Sequence, residues 1–218
     1  MKDYDPSHNP AHVQRVVALA LRILKFEQSR AERSKGVYDE LTVHLAALLH
    51  DISDRKYLPE NSESGSSSFS IPADKLVEHI LLTHGADAAL AHRVQTIVSH
   101  VSYTTERKDP ERVRRLIEEE GYPELAVVQD ADRLDALGAV GIGRCFTFLG
   151  AKGRTMLKEG ERWEMDNAIR HFGEKLETLE GMMKTGTGRE MARVRTERLG
   201  EFRRWWEEEM EEVSSSRT

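Results

Sequence analysis

The segment LAALLHDISDRKY sets an imidazole and a carboxylate, His50 and Asp51, directly behind an apolar helical run. Neither belongs on such a run alone, because an ionised carboxylate removed from water needs a hydrogen-bonded ion partner or a metal. The chain offers two more groups of the same kinds, His12 in HNPAHVQRV and Asp132 in VVQDADRLDALG. Together they form a two-histidine, two-carboxylate set. The competing reading is a salt-linked core with no ion.

The organisation of the chain brings these residues onto helices. Asn9-Pro10 is a helix start, since Asn caps free amides and Pro suits the first turn. Val13, Val16, Val17, Ala20, Ile23 and Leu24 then recur at helical spacing, with His12 in the first turn. A second helix is expected from about Asp39 to Ile52, with Leu41, Leu45, Leu48, Leu49 and Ile52 packing inward and His50 and Asp51 at its C-terminal end. Helical spacing resumes over 71–82 and 86–101, separated by Gly85. Asp109-Pro110 opens a short charged helix that Gly121 ends, and Pro123 precedes the helix carrying Asp132. Asp132 and Asp135, three positions apart, share a face of it, whereas Asp130 lies about 200° from Asp132. Asp132 is therefore the expected ligand and Asp135 a neighbour that orients groups. The segment 59–70, PENSESGSSSFS, is polar and aperiodic and reads as a loop, either a tolerated insertion or a lid.

GAVGIG, with Gly138, Gly141 and Gly143, lacks the preceding strand that dinucleotide binding requires and reads as close helix packing. The tail from Trp163 to Val213 reads as two helices, the last with a solvated charged face and Trp205 or Trp206 docking inward.

His12 opening the first helix, His50-Asp51 ending the second and Asp132 within ADRLDALGAVGIGR resemble the HD-domain metal-dependent phosphohydrolase superfamily. The resemblance runs from about Tyr4 to Gly150. It implies an all-α helical bundle, residues 1–150 as the metal-binding catalytic core, and 151–218 as a helical extension packed on the same domain. It implies metal ligation by His12, His50, Asp51 and Asp132, with Asp51 thereby catalytic. Such a donor set suits divalent manganese, placed first, or iron, cobalt, nickel, zinc or magnesium. Asp54 matches the acidic position that positions or deprotonates the attacking water in nucleotidase-like members; it also reads as a surface acid. Arg55, Lys56 and Arg133 are candidates for neutralising substrate phosphate. His8 is a candidate for bonding it, or a capping residue. Arg15 is a candidate partner for an internal acid. His79 and His100 have the order of the extra histidines found in dinuclear branches, which would make the chain an iron oxygenase. His44 and His171 read as structural. The function implied is hydrolysis of a small phosphorylated metabolite, a nucleoside phosphate foremost, releasing phosphate or pyrophosphate. A noncatalytic ligand-binding module is the remaining alternative.

Composition narrows the partners. The 218 residues suit one domain with an extension. A formal charge of −6 argues against binding DNA or RNA polymers, which needs a basic surface, so phosphate recognition should be local. A single cysteine, Cys145, rules out an intrachain disulfide and fits a reducing compartment. No apolar run approaches the roughly 20 residues of a membrane span. The expectation is an intracellular, cytoplasmic protein without a membrane partner, and a homodimer is compatible with the sequence.

Overall fold

A computed structural model describes residues 7–30, 37–52, 71–157 and 159–215. The fold is all-α: α1 (Pro10–Arg30), α2 (Glu40–Leu49), α3 (Leu76–Thr83), α4 (Ala88–Val101), α5 (Tyr103–Lys108), α6 (Pro110–Glu118), α7 (Glu124–Asp135), α8 (Gly138–Lys152), α9 (Asp166–His171) and α10 (Gly186–Ser215). Among the described residues no single helix is long and apolar enough to cross a membrane.

The helix starts follow capping chemistry. Asn9 Oδ1 accepts from the amides of Ala11 and His12, and Asp39 accepts from the Thr42 amide at 2.8 Å. Asp87 and Asp109 cap α4 and α6 in the same way. The core is built by Val16, Ala20, Ile23 and Leu24 of α1 against Val43, Ala46 and Ala47 of α2, with Val94, Ile97 and Val101 of α4 closing the stack.

The hydrophobic face of α2 departs from the expected one in part: Leu45, Leu49 and Ile52 pack against the core as expected. Leu41 and Leu48 are 54% and 47% exposed, while Thr42, Val43, Ala46 and Ala47 are buried. The helix is apolar nearly all round, so periodicity offers no polar face by which to choose. Small residues win the inner position because they let α1 approach closely.

α7 is the centre of the molecule. Every residue from Glu124 to Asp135 is buried except Asp132. Its polar side chains each hold a different neighbour, as burial of polar groups requires. Glu124 binds the Asp39 amide and Arg93, and Gln129 donates to the His100 carbonyl at 2.7 Å. Asp130 accepts from the amides of Lys184 and Thr185, fixing the start of α10.

A tight turn after α7 sends α8 away at 69°. Gly138 takes φ +69° there, a conformation that disfavours a side chain, and a Cβ on Gly141 would run into the Ala136 carbonyl. Gly143 faces open space. The glycine-rich stretch thus belongs to a helix turn, as the missing strand indicated.

The expected second tail helix is α10, which packs on α7, α8 and α1. Before it comes only the short α9, followed by a wide π-helical turn at Phe172–Leu176 and a tight 3₁₀ segment at Glu177–Met182. Trp206 docks among Phe146 and Phe202 and donates to Asp166, while Trp205 is 54% exposed. The 59–70 segment lies outside the described residues.

Candidate metal centre

α1, α2 and α7 meet where His12, His50, Asp51 and Asp132 converge. The two Nε2 atoms stand 3.2 Å apart. Asp51 reaches His12 Nε2 at 3.3 Å and His50 Nε2 at 3.5 Å. Asp132 Oδ1 lies 3.6 Å and 3.7 Å from the same nitrogens. His12, His50 and Asp51 are mutually close enough to share one ion.

The other ring nitrogens fix the tautomers. His12 Nδ1 donates to Asp135 Oδ2 at 2.7 Å. His50 Nδ1 donates to the Ala47 carbonyl at 2.8 Å, an oxygen that can only accept. In the neutral rings both protons are therefore on Nδ1, and two Nε2 lone pairs face each other beside two carboxylates. Such a set of acceptors repels itself unless a cation sits among them. Asp51 Oδ2 is also buried with no hydrogen-bond partner among the described residues. These are the features of a donor set that fits a divalent metal.

The electrostatics agree. Burial works against a charged His12, yet the carboxylates of Asp135 and Asp51 outweigh it and raise its pKa. Burial likewise opposes ionisation of Asp51 and Asp135, but His12 holds both carboxyls well below their ordinary range, with Arg15 adding to the effect at Asp135.

Asp135 is the support of the centre. Besides His12 it binds Arg15 Nε at 2.7 Å and Arg144 at 3.1 Å. It thus orients a ligand and pairs with Arg15. Asp135→Asn, which can present an amide N–H to Nδ1 and move the ring proton to Nε2, is expected to weaken Mn²⁺ binding by ~10- to 100-fold. Titration of the metal-free variant measures this, and unchanged affinity would contradict the orienting role.

The remaining candidates divide. His8 is beside the centre, its ring 5.7 Å from His12 and 5.9 Å from Phe148. Asp54, Arg55 and Lys56 lie outside the described residues. Arg133 points elsewhere, correcting its expected phosphate role: it is buried against Glu106 and the Met182 carbonyl. One residue of helix rotates a side chain by about 100°, so proximity to Asp132 in sequence carries it to another face. His79 is exposed, and His100 Nδ1 donates to the Thr96 carbonyl. Neither belongs to a metal-sized group among the described residues.

Arg144 and His171 were not recognised in the sequence as groups near the site. Both line a cleft beside His8 and Ala136. The available signal was the spacing of Gly141, Arg144, Phe148 and Lys152, which gives α8 one face of small, cationic and aromatic residues.

Comparison with known proteins agrees with this geometry. The HD domain profile matches residues 11–137. The Bacillus subtilis protein YpgQ is 35% identical over 210 residues, covering 96% of this chain and 88% of its own. A crystal structure of YpgQ in complex with ADP aligns over 93% of this chain and 90% of that one, with 34% identity and a TM-score of 0.66. An HD-superfamily hydrolase from Bacillus thuringiensis aligns over 92% and 85%, with 28% identity and a TM-score of 0.60. With its histidines and aspartates gathered at one point between α1, α2 and α7, this chain belongs to the HD domain family.

Proposed function

We propose that the protein is a metal-dependent phosphohydrolase acting on a small phosphorylated metabolite, a nucleoside phosphate foremost. The observation that carries this reading is the pair of Nε2 lone pairs 3.2 Å apart, each fixed by a hydrogen bond behind it and flanked by Asp51 and Asp132. His12, His50, Asp51 and Asp132 would hold the ion, with manganese first among iron, cobalt, nickel, zinc and magnesium for a mixed nitrogen and oxygen set. Bound there, a divalent ion supplies Lewis acidity toward a phosphoryl oxygen and lowers the pKa of water.

The protein's own groups do the rest. Asp135 and the Ala47 carbonyl hold the imidazoles with their Nε2 lone pairs forward. Asp132, 27% exposed where its α7 neighbours are buried, faces the side from which a substrate enters. His8 stands at that entrance and is suited to bond a phosphate oxygen. The ADP bound by YpgQ supports a nucleotide as the phosphorylated ligand.

Asp54 is assigned to positioning or deprotonating the attacking water. Asp54→Asn is then expected to keep its metal and lose turnover by roughly 10²- to 10⁴-fold, the scale of general acid–base assistance. Near-normal turnover in the metal-loaded variant excludes the role, and loss of metal moves Asp54 into the support of the ion. The whole reading is tested by incubating the metal-supplied protein with nucleotides and sugar phosphates and identifying the products. Release of phosphate or pyrophosphate supports it, whereas oxygen uptake without phosphorus release would favour an oxygenase.

A further inference from the structure

His8, His12 and His50 stand side by side, and the group behind each ring decides what its front nitrogen offers. His12 is backed by an ionised carboxylate and His50 by a carbonyl, neither of which can donate, so both neutral rings present Nε2 lone pairs. His8 differs. Ser7 Oγ lies 2.8 Å from its Nδ1, and a hydroxyl can give its proton to that nitrogen. The front nitrogen of His8 then carries the N–H, a donor suited to a phosphate oxygen rather than to a metal.

One side chain joins the backing of His8 to that of His12. Arg144 Nε donates to the Ser7 carbonyl at 2.8 Å, and its Nη1 lies 3.1 Å from Asp135 Oδ2, the oxygen that accepts from His12 Nδ1. Arg144 and Ser7 are 137 residues apart, so their contact depends on how α8 leaves α7. A Cβ on Gly141 would run into the Ala136 carbonyl, so glycine there lets the first turn of α8 close on the end of α7. Arg144, three positions on, shares that face. Phe148, four further along it, sets its ring 5.9 Å from that of His8.

Charge balance alone does not account for Arg144. Arg15 already meets Asp135 with two bonds, from Nε to Oδ1 at 2.7 Å and from Nη2 to Oδ2 at 3.0 Å. A second guanidinium beside the same carboxylate repels the first, and Arg144 is only 13% exposed, so water screens that repulsion little. What Arg144 adds is reach, because a rigid fork of N–H donors holds a carbonyl and a carboxylate at once.

We propose that Arg144 is a positioning residue with two targets: through Asp135 it holds the His12 ring for the ion, and through the Ser7 backbone it holds His8 with its N–H toward a phosphate oxygen. The proposal rests on the phosphohydrolase reading for the phosphate. It adds that cation and anion are aligned by one guanidinium that touches neither.

The test reads equilibrium binding by the full chain, first of Mn²⁺ alone and then of inorganic phosphate at saturating Mn²⁺. Arg144→Gln is expected to weaken phosphate by about tenfold, the scale of one charge-assisted hydrogen bond. It should weaken Mn²⁺ by about three- to tenfold, less than the loss of a ligand's direct partner. Ser7→Ala keeps the carbonyl and loses the hydroxyl, so phosphate should weaken and Mn²⁺ should not. Residues that act through one another give non-additive losses: in a His8→Ala background Arg144→Gln should cost phosphate no more than about twofold further, and in an Asp135→Asn background it should cost Mn²⁺ no more than that. Arg144→Lys, a point charge without the fork, should recover at most one of the two affinities. Circular dichroism checks folding, and Arg144→Lys and Ser7→Ala are read in the same backgrounds if Arg144→Gln unfolds. An undiminished phosphate loss from Arg144→Gln in the His8→Ala background would mean that Arg144 meets phosphate itself, which overturns the proposal. So do unchanged Mn²⁺ affinity in Arg144→Gln, recovery of both affinities by Arg144→Lys, and phosphate binding that is absent or indifferent to His8→Ala. Turnover is not read, so coupled losses in an inactive protein keep the positioning role and reject the hydrolase reading, and additive losses in an active one do the reverse.

Discussion

His50→Ala and Asp51→Ala are each expected to strip the metal and abolish phosphate release while leaving the chain largely helical. Neither side chain holds the core together. His50 follows the last residue of α2, and its ring makes one bond to its own helix, at the Ala47 carbonyl. Asp51 has one carboxylate oxygen without a hydrogen bond among the described residues. Either substitution takes away contacts at the ion site rather than in the apolar core, so the chain should stay largely helical. The ion would lose one of its four proposed ligands, and polarisation of a substrate would go with it. Metal content by elemental analysis, with circular dichroism on the same samples, decides the matter. Metal content equal to that of the parent protein would contradict the assignment.

Asp130→Ala should do the opposite, keeping the metal and destabilising the fold. Asp130 is fully buried and accepts three hydrogen bonds, from the Lys184 amide at 2.9 Å, the Thr185 amide at 2.8 Å and the Thr185 hydroxyl at 2.7 Å. Burial pushes its pKa up and the Thr185 and Lys184 donors only partly oppose it, so the mutation also recovers some desolvation cost. The stranded donors dominate. A net loss of about 3 kcal/mol is expected, which lowers the melting temperature of a chain this size by ~6–12 °C. Asp132→Ala, at the half-exposed position of the same helix, should lose the metal with little change in melting. Reversal of the two outcomes would transfer the ligand role to Asp130.

The contrast between Asp130 and Asp132 shows what could be read from the sequence. Helical geometry separates the two aspartates and pairs Asp132 with Asp135, and the structure turns Asp130 toward Thr185 and the others toward His12. The His-Asp pair was legible because its chemistry conflicts with its apolar surroundings. Arg133 was not, because adjacency to a ligand says nothing about facing it, and its partner Glu106 is distant in sequence. The burial of α2 was ambiguous because Leu41 and Leu48 are as apolar as the small residues that took the core. The cleft lined by Arg144 and His171 depends on the 172–176 segment lying against α8, a tertiary contact with no local sign beyond the spacing along α8. Tail residues such as His171 acquire meaning only once that contact exists.

Metal-assisted attack of water on phosphorus is the reaction proposed for this arrangement of histidines and aspartates. The most direct measurement is phosphorus NMR of a nucleotide panel incubated with manganese-supplied protein in ¹⁸O-enriched water, repeated after chelation. A new phosphate or pyrophosphate resonance is expected, with ¹⁸O bound to phosphorus in one of the products, and neither after the metal is removed. Intact nucleotides throughout, or cleavage that persists undiminished in chelator, would contradict it.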